Sequence, residues 1–182
     1  MLLSEKVRKM LCEQITHEAR NESRYRVMES YFEAMQLHGF SGLFAKQSEG
    51  EFDHRADIIK YLNLKNAKID YDIIPAPEPI SSVKDAVDRF YTVEIETTKK
   101  LYAIVKSAQE EGDFGTVAWL YDNLIPEQNE EEALALDVKA QILRISGEDG
   151  QVYGVGLELL DSKLAKIYCP VKKSILSVAS DD

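Results

Sequence analysis

The chain has 182 residues, of which 45% are apolar and 30% charged, with a formal charge of −10 at pH 7. This length and composition predict one globular domain with a sizeable core, and the acidic excess argues against nucleic acid and anionic membranes as partners while favouring cations. Because no apolar run approaches a membrane span and the N-terminus lacks the apolar core of a signal peptide, we expect a cytoplasmic protein.

The first predicted helix covers residues 4–34, and a single carboxylate interrupts its apolar stripe. The stripe consists of Leu11, Ile15, Glu18, Tyr25, Met28, Phe32 and Met35. This spacing is typical of the buried face of an amphipathic helix. His17 points about 100° away from Glu18 on such a helix, so we expect His17 at the surface.

The second predicted helix covers residues 38–65 and carries two ionisable groups in its inward stripe. The stripe consists of Phe44, Gln47, Glu51, His54, Ile58 and Tyr61. Glu51 and His54 are three residues apart and share one face, so their oxygen and nitrogen atoms can converge on one metal ion. A buried carboxylate takes up a proton unless a cation or hydrogen-bond donors compensate its charge.

The next segment, residues 66–81, predicts a long extended connection. It contains Pro75, Pro77 and Pro79, which exclude a helix and favour an extended path. Its sixteen residues reach about 50 Å when extended, whereas a helix of 28 residues is about 42 Å long. The second and third helices can therefore be parallel, joined by a crossover along the bundle.

The third and fourth predicted helices, over residues 82–111 and 113–146, each repeat the pattern of an apolar stripe with buried acids. The third stripe is Val83, Val87, Phe90, Glu94, Thr97, Leu101, Ile104 and Ala108. The fourth is Val117, Leu120, Leu124, Glu127, Gln128, Glu131, Leu134, Val138 and Ile142. Pro126 lies inside the fourth segment, so we expect a kink just before its acidic cluster.

Four helices thus bring carboxylates to the interior: Glu18, Glu51, Glu94 and Glu131. The predicted turns fall near the sequence midpoints between these residues, which places the carboxylates at about one level. No lysine or arginine lies on the inward stripes, so two bridged divalent cations are the favoured compensation, and protonated or hydrated acids without metal are the alternative. Oxygen-rich ligation with one imidazole favours iron or manganese over zinc.

On these residues the chain resembles the bacterial and archaeal non-haem ferritins over residues 1–164. The resemblance rests on Glu13-Gln14-Ile15-x-x-Glu18 with Tyr25, Gln47 before Glu51-x-x-His54, Glu94, and Glu127-Gln128-Asn129-Glu130-Glu131-Glu132. It implies an all-α, ferritin-like four-helix bundle with a long crossover between helices 2 and 3. It also implies a short fifth helix over residues 152–166, followed by a tail at 167–182 whose apolar residues could dock on the subunit or on another protein.

The resemblance also implies roles for the site residues. A first iron site would use Glu18, Glu51 and His54. A second would use Glu51, Glu94 and Glu131, with Gln128 close by and Tyr25 hydrogen-bonded at its edge. Glu127 and Glu130 would contribute to a third iron site, but Gly50 stands where that site often has a glutamate. Asn123 replaces an aromatic residue that often precedes the acidic cluster by four positions.

The function implied is that of an iron-storage ferroxidase, which oxidises Fe(II) with dioxygen or peroxide and deposits a mineral inside a homo-oligomeric cage of twenty-four subunits. Phe52 replaces the haem-ligating methionine of related bacterioferritins, so we expect no haem. Two alternatives remain open. One is a small diiron redox enzyme or peroxide scavenger without storage, and the other is a cage subunit whose centre is impaired by Gly50 and Asn123.

Overall fold

The computed structural model describes residues 3–147 and 151–169. The regular secondary structure of these residues is entirely helical, in the order α1 Glu5–Ala34, α2 His38–Leu64, α3 Val83–Glu110, α4 Phe114–Asn123, α5 Ile125–Ile145 and α6 Val155–Tyr168. α1 packs along α2, α3 packs along α5, and α1 contacts α3 across the bundle. The predicted all-α bundle is confirmed. None of the described helices combines the length and apolarity that a membrane crossing requires.

The helix ends follow from local sequence chemistry. The hydroxyls of Ser4 and Ser82 accept hydrogen bonds from Val7 N and Asp85 N, and Asp113 Oδ1 accepts one from Thr116 N. Each bond satisfies an amide that has no partner inside its own helix. The segment between α2 and α3 contains no helix and only a short turn at its start. The predicted extended crossover is therefore present.

Two apolar clusters fill the bundle, one on either side of a polar middle. The first lies towards the α1–α2 turn and contains the stacked or edge-packed rings of Tyr25, Phe32, Phe40, Phe44 and Phe90. The second lies towards the start of α1 and is largely aliphatic, with Leu11, Ile15, Ile58, Leu62 and Leu101. Apolar burial of this kind provides most of the favourable free energy of folding.

The fourth helical segment is interrupted at Leu124. α4 ends at Asn123 and α5 begins at Ile125, with Pro126 in its first turn. Because proline has no backbone N–H, it cannot donate the hydrogen bond that would continue α4 through this point. The sequence therefore located the irregularity correctly. Gln128 and Glu131 lie in the first two turns of α5, and both are buried.

α6 lies against the start of α2, where Gly39 and Gly42 allow a close approach. A Cβ atom at Gly39 would lie 2.0 Å from the backbone oxygen of Asp161, so only glycine fits without moving α6. The Asp161 carboxylate also accepts a hydrogen bond of 3.0 Å from Phe40 N. α6 begins and ends two to three residues later than predicted, and the predicted tail falls almost wholly on residues 170–182, outside the described part of the chain.

Two side-chain positions predicted for the first helix were wrong. Met35 is 43% exposed because it lies beyond the last turn of α1, as its C-cap. His17 is buried because α3 packs on that side of α1, and His17 Nε2 lies 2.8 Å from Thr97 Oγ1. Helical periodicity locates the most buried face, but a helix that contacts two neighbours buries a wider arc.

Candidate metal centre

Three side chains from α1 and α2 meet in the middle of the bundle. Glu18, Glu51 and His54 each offer a ligand atom, and these atoms lie within 4.8 Å of one another. All three residues are at most 5% exposed. Glu18 Oε2, Glu51 Oε2 and His54 Nε2 are buried and have no hydrogen-bond partner. Buried polar atoms without partners carry a large desolvation cost, so their convergence indicates a site built for a cation.

A second group shares His54 and extends towards the surface. His54, Glu127 and Glu131 also place ligand atoms within 4.8 Å of one another. His54 Nδ1 lies 3.6 Å from Glu51 Oε2, and His54 Nε2 lies 3.4 Å from Glu127 Oε2. The imidazole therefore stands between two carboxylates. The side chain of Glu127 is 58% exposed, so its predicted inward position was wrong, although its carboxylate reaches back to His54.

Glu94 completes the set of carboxylates from the four helical segments. Tyr25 donates a short hydrogen bond to Glu94 Oε1, and Gln128 Nε2 donates one of 2.8 Å to Glu94 Oε2. These bonds connect α1 and α5 to α3 at this point. Both donors orient the carboxylate, and Gln128 also contacts the backbone oxygen of Glu94 at 3.3 Å. The residues around a metal ligand commonly hold it in this way.

Glu18, Glu51, His54, Glu94 and Glu131 together form a buried carboxylate layer. When no cation is present, the electrostatics of this layer favour protonated side chains. Burial raises the pKa of Glu51 to about 7 and that of Glu131 to about 8, and it also raises the pKa of Glu18 and Glu94. Burial lowers the pKa of His54, but the negative charges of the nearby Glu127 and Glu51 carboxylates outweigh it and raise the pKa to about 12. A metal ion entering the layer must therefore displace protons.

The donor set fits a hard or borderline divalent ion. It consists of carboxylate oxygens and one imidazole, which suit iron or manganese better than a structural zinc site that uses thiolates. Cys12 and Cys169 are free thiols and belong to neither ligand group. Within residues 3–147 and 151–169, no lysine or arginine forms an ion pair with Glu18, Glu51, Glu94 or Glu131. A divalent cation would supply the positive charge that the protein itself does not.

Of the two residues predicted for a third iron site, Glu127 and Glu130, only one lies in a ligand group. Glu127 joins the group of His54 and Glu131, whereas Glu130 is exposed and belongs to neither ligand group. A Cβ atom at Gly50 would lie 3.5 Å from Glu131 Oε1, so a glutamate in that position would stand beside the layer. Asn123 donates to the backbone oxygen of Trp119 in its own helix.

Sequence reasoning assigned no role to Gln14, which contacts the centre directly. Gln14 Nε2 donates a hydrogen bond of 2.7 Å to Glu18 Oε1, and both residues are buried. The available signal was its spacing, because Gln14 precedes Glu18 by four residues and so lies on the same helical face. Gln14 leaves the other oxygen of Glu18 free to bind a cation.

Comparison with known proteins shows that the chain is similar to ferritins. The family model for the ferritin-like domain matches residues 8–144. A bacterial non-heme ferritin of Campylobacter jejuni is 32% identical over 174 residues, which cover 94% of this chain and 100% of that protein. One from Staphylococcus aureus (strain MRSA252) is 26% identical over 153 residues, which cover 84% of this chain and 92% of that protein.

A solved structure extends this similarity to three dimensions. The open pore ferritin of the hyperthermophilic archaeon Archaeoglobus fulgidus superposes with a TM-score of 0.81 at 29% sequence identity. The match covers 90% of this chain and 98% of that one. Since the likeness extends along nearly the whole of both chains, it confirms the predicted bundle.

Proposed function

Since this chain belongs to the ferritin family, we propose that it is an iron-storage subunit that oxidises Fe(II) to Fe(III) at the buried carboxylate layer. The observation that supports this most directly is the convergence of Glu18, Glu51 and His54 within 4.8 Å, each with a buried ligand atom that has no hydrogen-bond partner. Iron is the substrate and the stored product. Two Fe(II) ions give up one electron each, and with two protons this pair of electrons reduces dioxygen to hydrogen peroxide, or peroxide to water.

We assign the residues as follows. Glu18, Glu51 and His54 hold one iron, and Glu51, Glu94 and Glu131 hold the second, with Gln128 beside it. Glu51 bridges the two positions. Tyr25 and Gln128 orient Glu94 through their hydrogen bonds, which supports their inclusion in the centre. Because Glu51 belongs to both groups, two cations held by them would lie close enough to deliver electrons to one oxidant molecule.

Glu127 and Glu130 are proposed to act between the centre and the surrounding solution. The side chain of Glu127 is more than half exposed, yet it lies 3.4 Å from His54 Nε2. A carboxylate in this position can accept iron from solution or release Fe(III) from the buried pair. Glu130 is exposed one turn along the same helix and extends the acidic surface that a cation meets.

The storage role requires an assembly, which we propose to be a hollow homo-oligomer of twenty-four subunits, located in the cytoplasm. The near-complete coverage of ferritins from bacteria and an archaeon supports the same subunit shape. The formal charge of −10 favours cation uptake and an acidic interior for mineral growth.

The test is aerobic loading of purified apoprotein with a large excess of Fe(II), followed by size-exclusion chromatography with iron and protein quantified across each peak. We expect far more than two irons per chain to elute with a very large assembly. Glu18→Gln should slow the early oxidation, whereas Glu13→Gln, the same change at an exposed position on α1, should not. Iron that stops near two per chain on a small oligomer would instead favour a diiron redox enzyme without storage.

A further inference from the structure

A cavity of about 390 Å³ lies outside the carboxylate layer, between α1, α3 and the end of the crossover. Arg20 and Arg24, one turn apart on α1, line it. Within the described chain, neither of these arginines forms an ion pair, although the protein has 32 acidic residues. A third lining arginine, Arg89, differs because Asp85 holds it at 2.7 Å. Two positive charges thus border the cavity without a carboxylate in ion-pair contact.

Arg24 is held in place by a buried polar network. Its Nη1 donates a hydrogen bond of 3.1 Å to Asn21 Oδ1, and Asn21 Nδ2 donates one of 3.2 Å to Thr97 Oγ1. Asn21 and Thr97 are 0% and 1% exposed, so this anchor cannot move freely. One N–H of the guanidinium is used and others remain available. Burial and the nearby charge of Arg20 lower the pKa of Arg24, and the more distant carboxylates of Glu96 and Glu78 only partly offset them.

Three carboxylates also line the cavity, and two of them are engaged by other cations. Asp88 lies 2.6 Å from Lys84 Nζ and 2.9 Å from Lys139 Nζ. Glu78 lies 3.7 Å from Arg89. Only Glu96, which is exposed on α3, has neither lysine nor arginine in ion-pair contact among the described residues. The uncompensated charge at the cavity is therefore two arginines against one carboxylate.

We propose that this cavity binds a small organic oxyanion, a phosphate ester or a carboxylate, through Arg20 and Arg24. The planar guanidinium groups match both kinds of anion with paired hydrogen bonds. Met28, Ile80 and Val93 give the cavity an apolar wall for the body of such a ligand. The volume lies within the range of about 300–1,000 Å³ that is usual for small-molecule sites. The proposal does not depend on the iron chemistry.

The probes are phenyl phosphate and benzoate, titrated separately into the assembled apoprotein by calorimetry in a buffer free of phosphate and sulfate. We expect saturable binding of at least one probe, and the tighter one identifies the anion class. Arg24→Gln should weaken that binding at least about tenfold, because it removes a charge-assisted contact. Arg26→Gln is the matched control, since Arg26 is an exposed arginine of the same helix that pairs with Glu29 outside the cavity.

Two further variants separate binding from a loss of fold. Arg20→Gln, at an exposed position, should also weaken binding, and Glu96→Gln should strengthen it by removing the competing carboxylate. The proposal is overturned if neither probe binds the assembled protein, as would happen if a neighbouring copy closed the cavity. It is equally overturned if Arg24→Gln and Arg26→Gln bind the probes alike. Neither result bears on iron oxidation, which is measured separately.

Discussion

The carboxylate layer and the aromatic cluster next to it occupy the same helical stripes but have opposite effects on the stability of the folded chain. Phe32, Phe44 and Phe90 are fully buried and pack ring against ring. Glu18, Glu51 and Glu94, further along the same helices, are just as buried but bring carboxylates together. The first set lowers the free energy of the folded chain, whereas the second raises it until protons or cations enter.

This contrast shows how a stable bundle can hold an unfavourable site. The apolar clusters on both sides keep the helices in position, so the carboxylates cannot move apart to reach water. Because the ligands are already in place, a cation binds without the free-energy cost of ordering them. If this account is correct, substitutions in the two regions should have different consequences.

The largest effect is expected from the aromatic cluster. Phe44→Ala should lower the free energy of unfolding by about 3–5 kcal/mol, because it leaves a cavity among the rings of Tyr25, Phe32 and Phe90. Thermal and denaturant unfolding of the apoprotein measure this loss. Phe114→Ala, at a side chain that is 70% exposed, is the control. Equal losses in both variants would mean that the cluster does not carry the stability assigned to it.

The next effect should appear in activity rather than stability. Glu51→Gln is expected to slow Fe(II) oxidation by about 100-fold or more, since even residues that only support metal ligands contribute about 10–100-fold. The apoprotein should unfold at the same or a higher temperature, because one buried carboxylate has been neutralised. Glu49→Gln, at an exposed position two residues away, serves as the control. A clear loss of apoprotein stability in Glu51→Gln would contradict the comparison.

The apoprotein should lose stability as the pH rises from about 6.5 to 8. The raised pKa values of Glu51, Glu131 and His54 mean that the folded state still holds protons that the unfolded chain has largely released, from its carboxyls near pH 4.5 and from its imidazole near pH 6.5. For each proton that the folded state retains, the free energy of unfolding falls by about 1.4 kcal/mol per pH unit. Below about pH 6.5 the opposite effect of His17 enters, because burial lowers its pKa to about 3.

Denaturant unfolding at several pH values measures this slope. Glu131→Gln should make the slope shallower, since it removes one carboxyl that holds its proton in the folded state. Saturating Mn(II) should remove most of the decline, because the cation replaces the protons. A stability that stays flat or rises between pH 6.5 and 8 would show that the layer does not retain protons.

The smallest effect is expected from Gln14. Gln14→Leu removes the hydrogen bond of 2.7 Å that orients Glu18 and should weaken metal binding by about tenfold. A titration with Co(II) followed by visible absorption reports both the affinity and the geometry of the ligands. Gln109→Leu, at an exposed position on α3, is the control. If the Co(II) spectrum and affinity match those of the unaltered protein, Gln14 has only a packing role.

The sequence predicted much of the layer because helical periodicity determines which side chains share a face. Glu18, Glu51 and Glu94 lie on stripes that are otherwise apolar, and each of them is buried as predicted. The crossover followed from its prolines. Periodicity does not describe contacts between helices, and for that reason His17 and Glu127 were misplaced. The bond from Gln14 to Glu18 lies within α1 and was missed although its spacing of four residues was visible in the sequence.

By itself, then, the sequence determined the all-helical class, the parallel crossover, the buried acids and the resemblance to ferritins, because all of these depend on local spacing and residue type. Only the tertiary structure decided the position of His54 between Glu51 and Glu127, and the placement of Arg20 and Arg24 without an ion pair beside their cavity. Each of these depends on how one helix docks against another. Docking is set by the packing of many side chains at once, so no single stretch of sequence contains it.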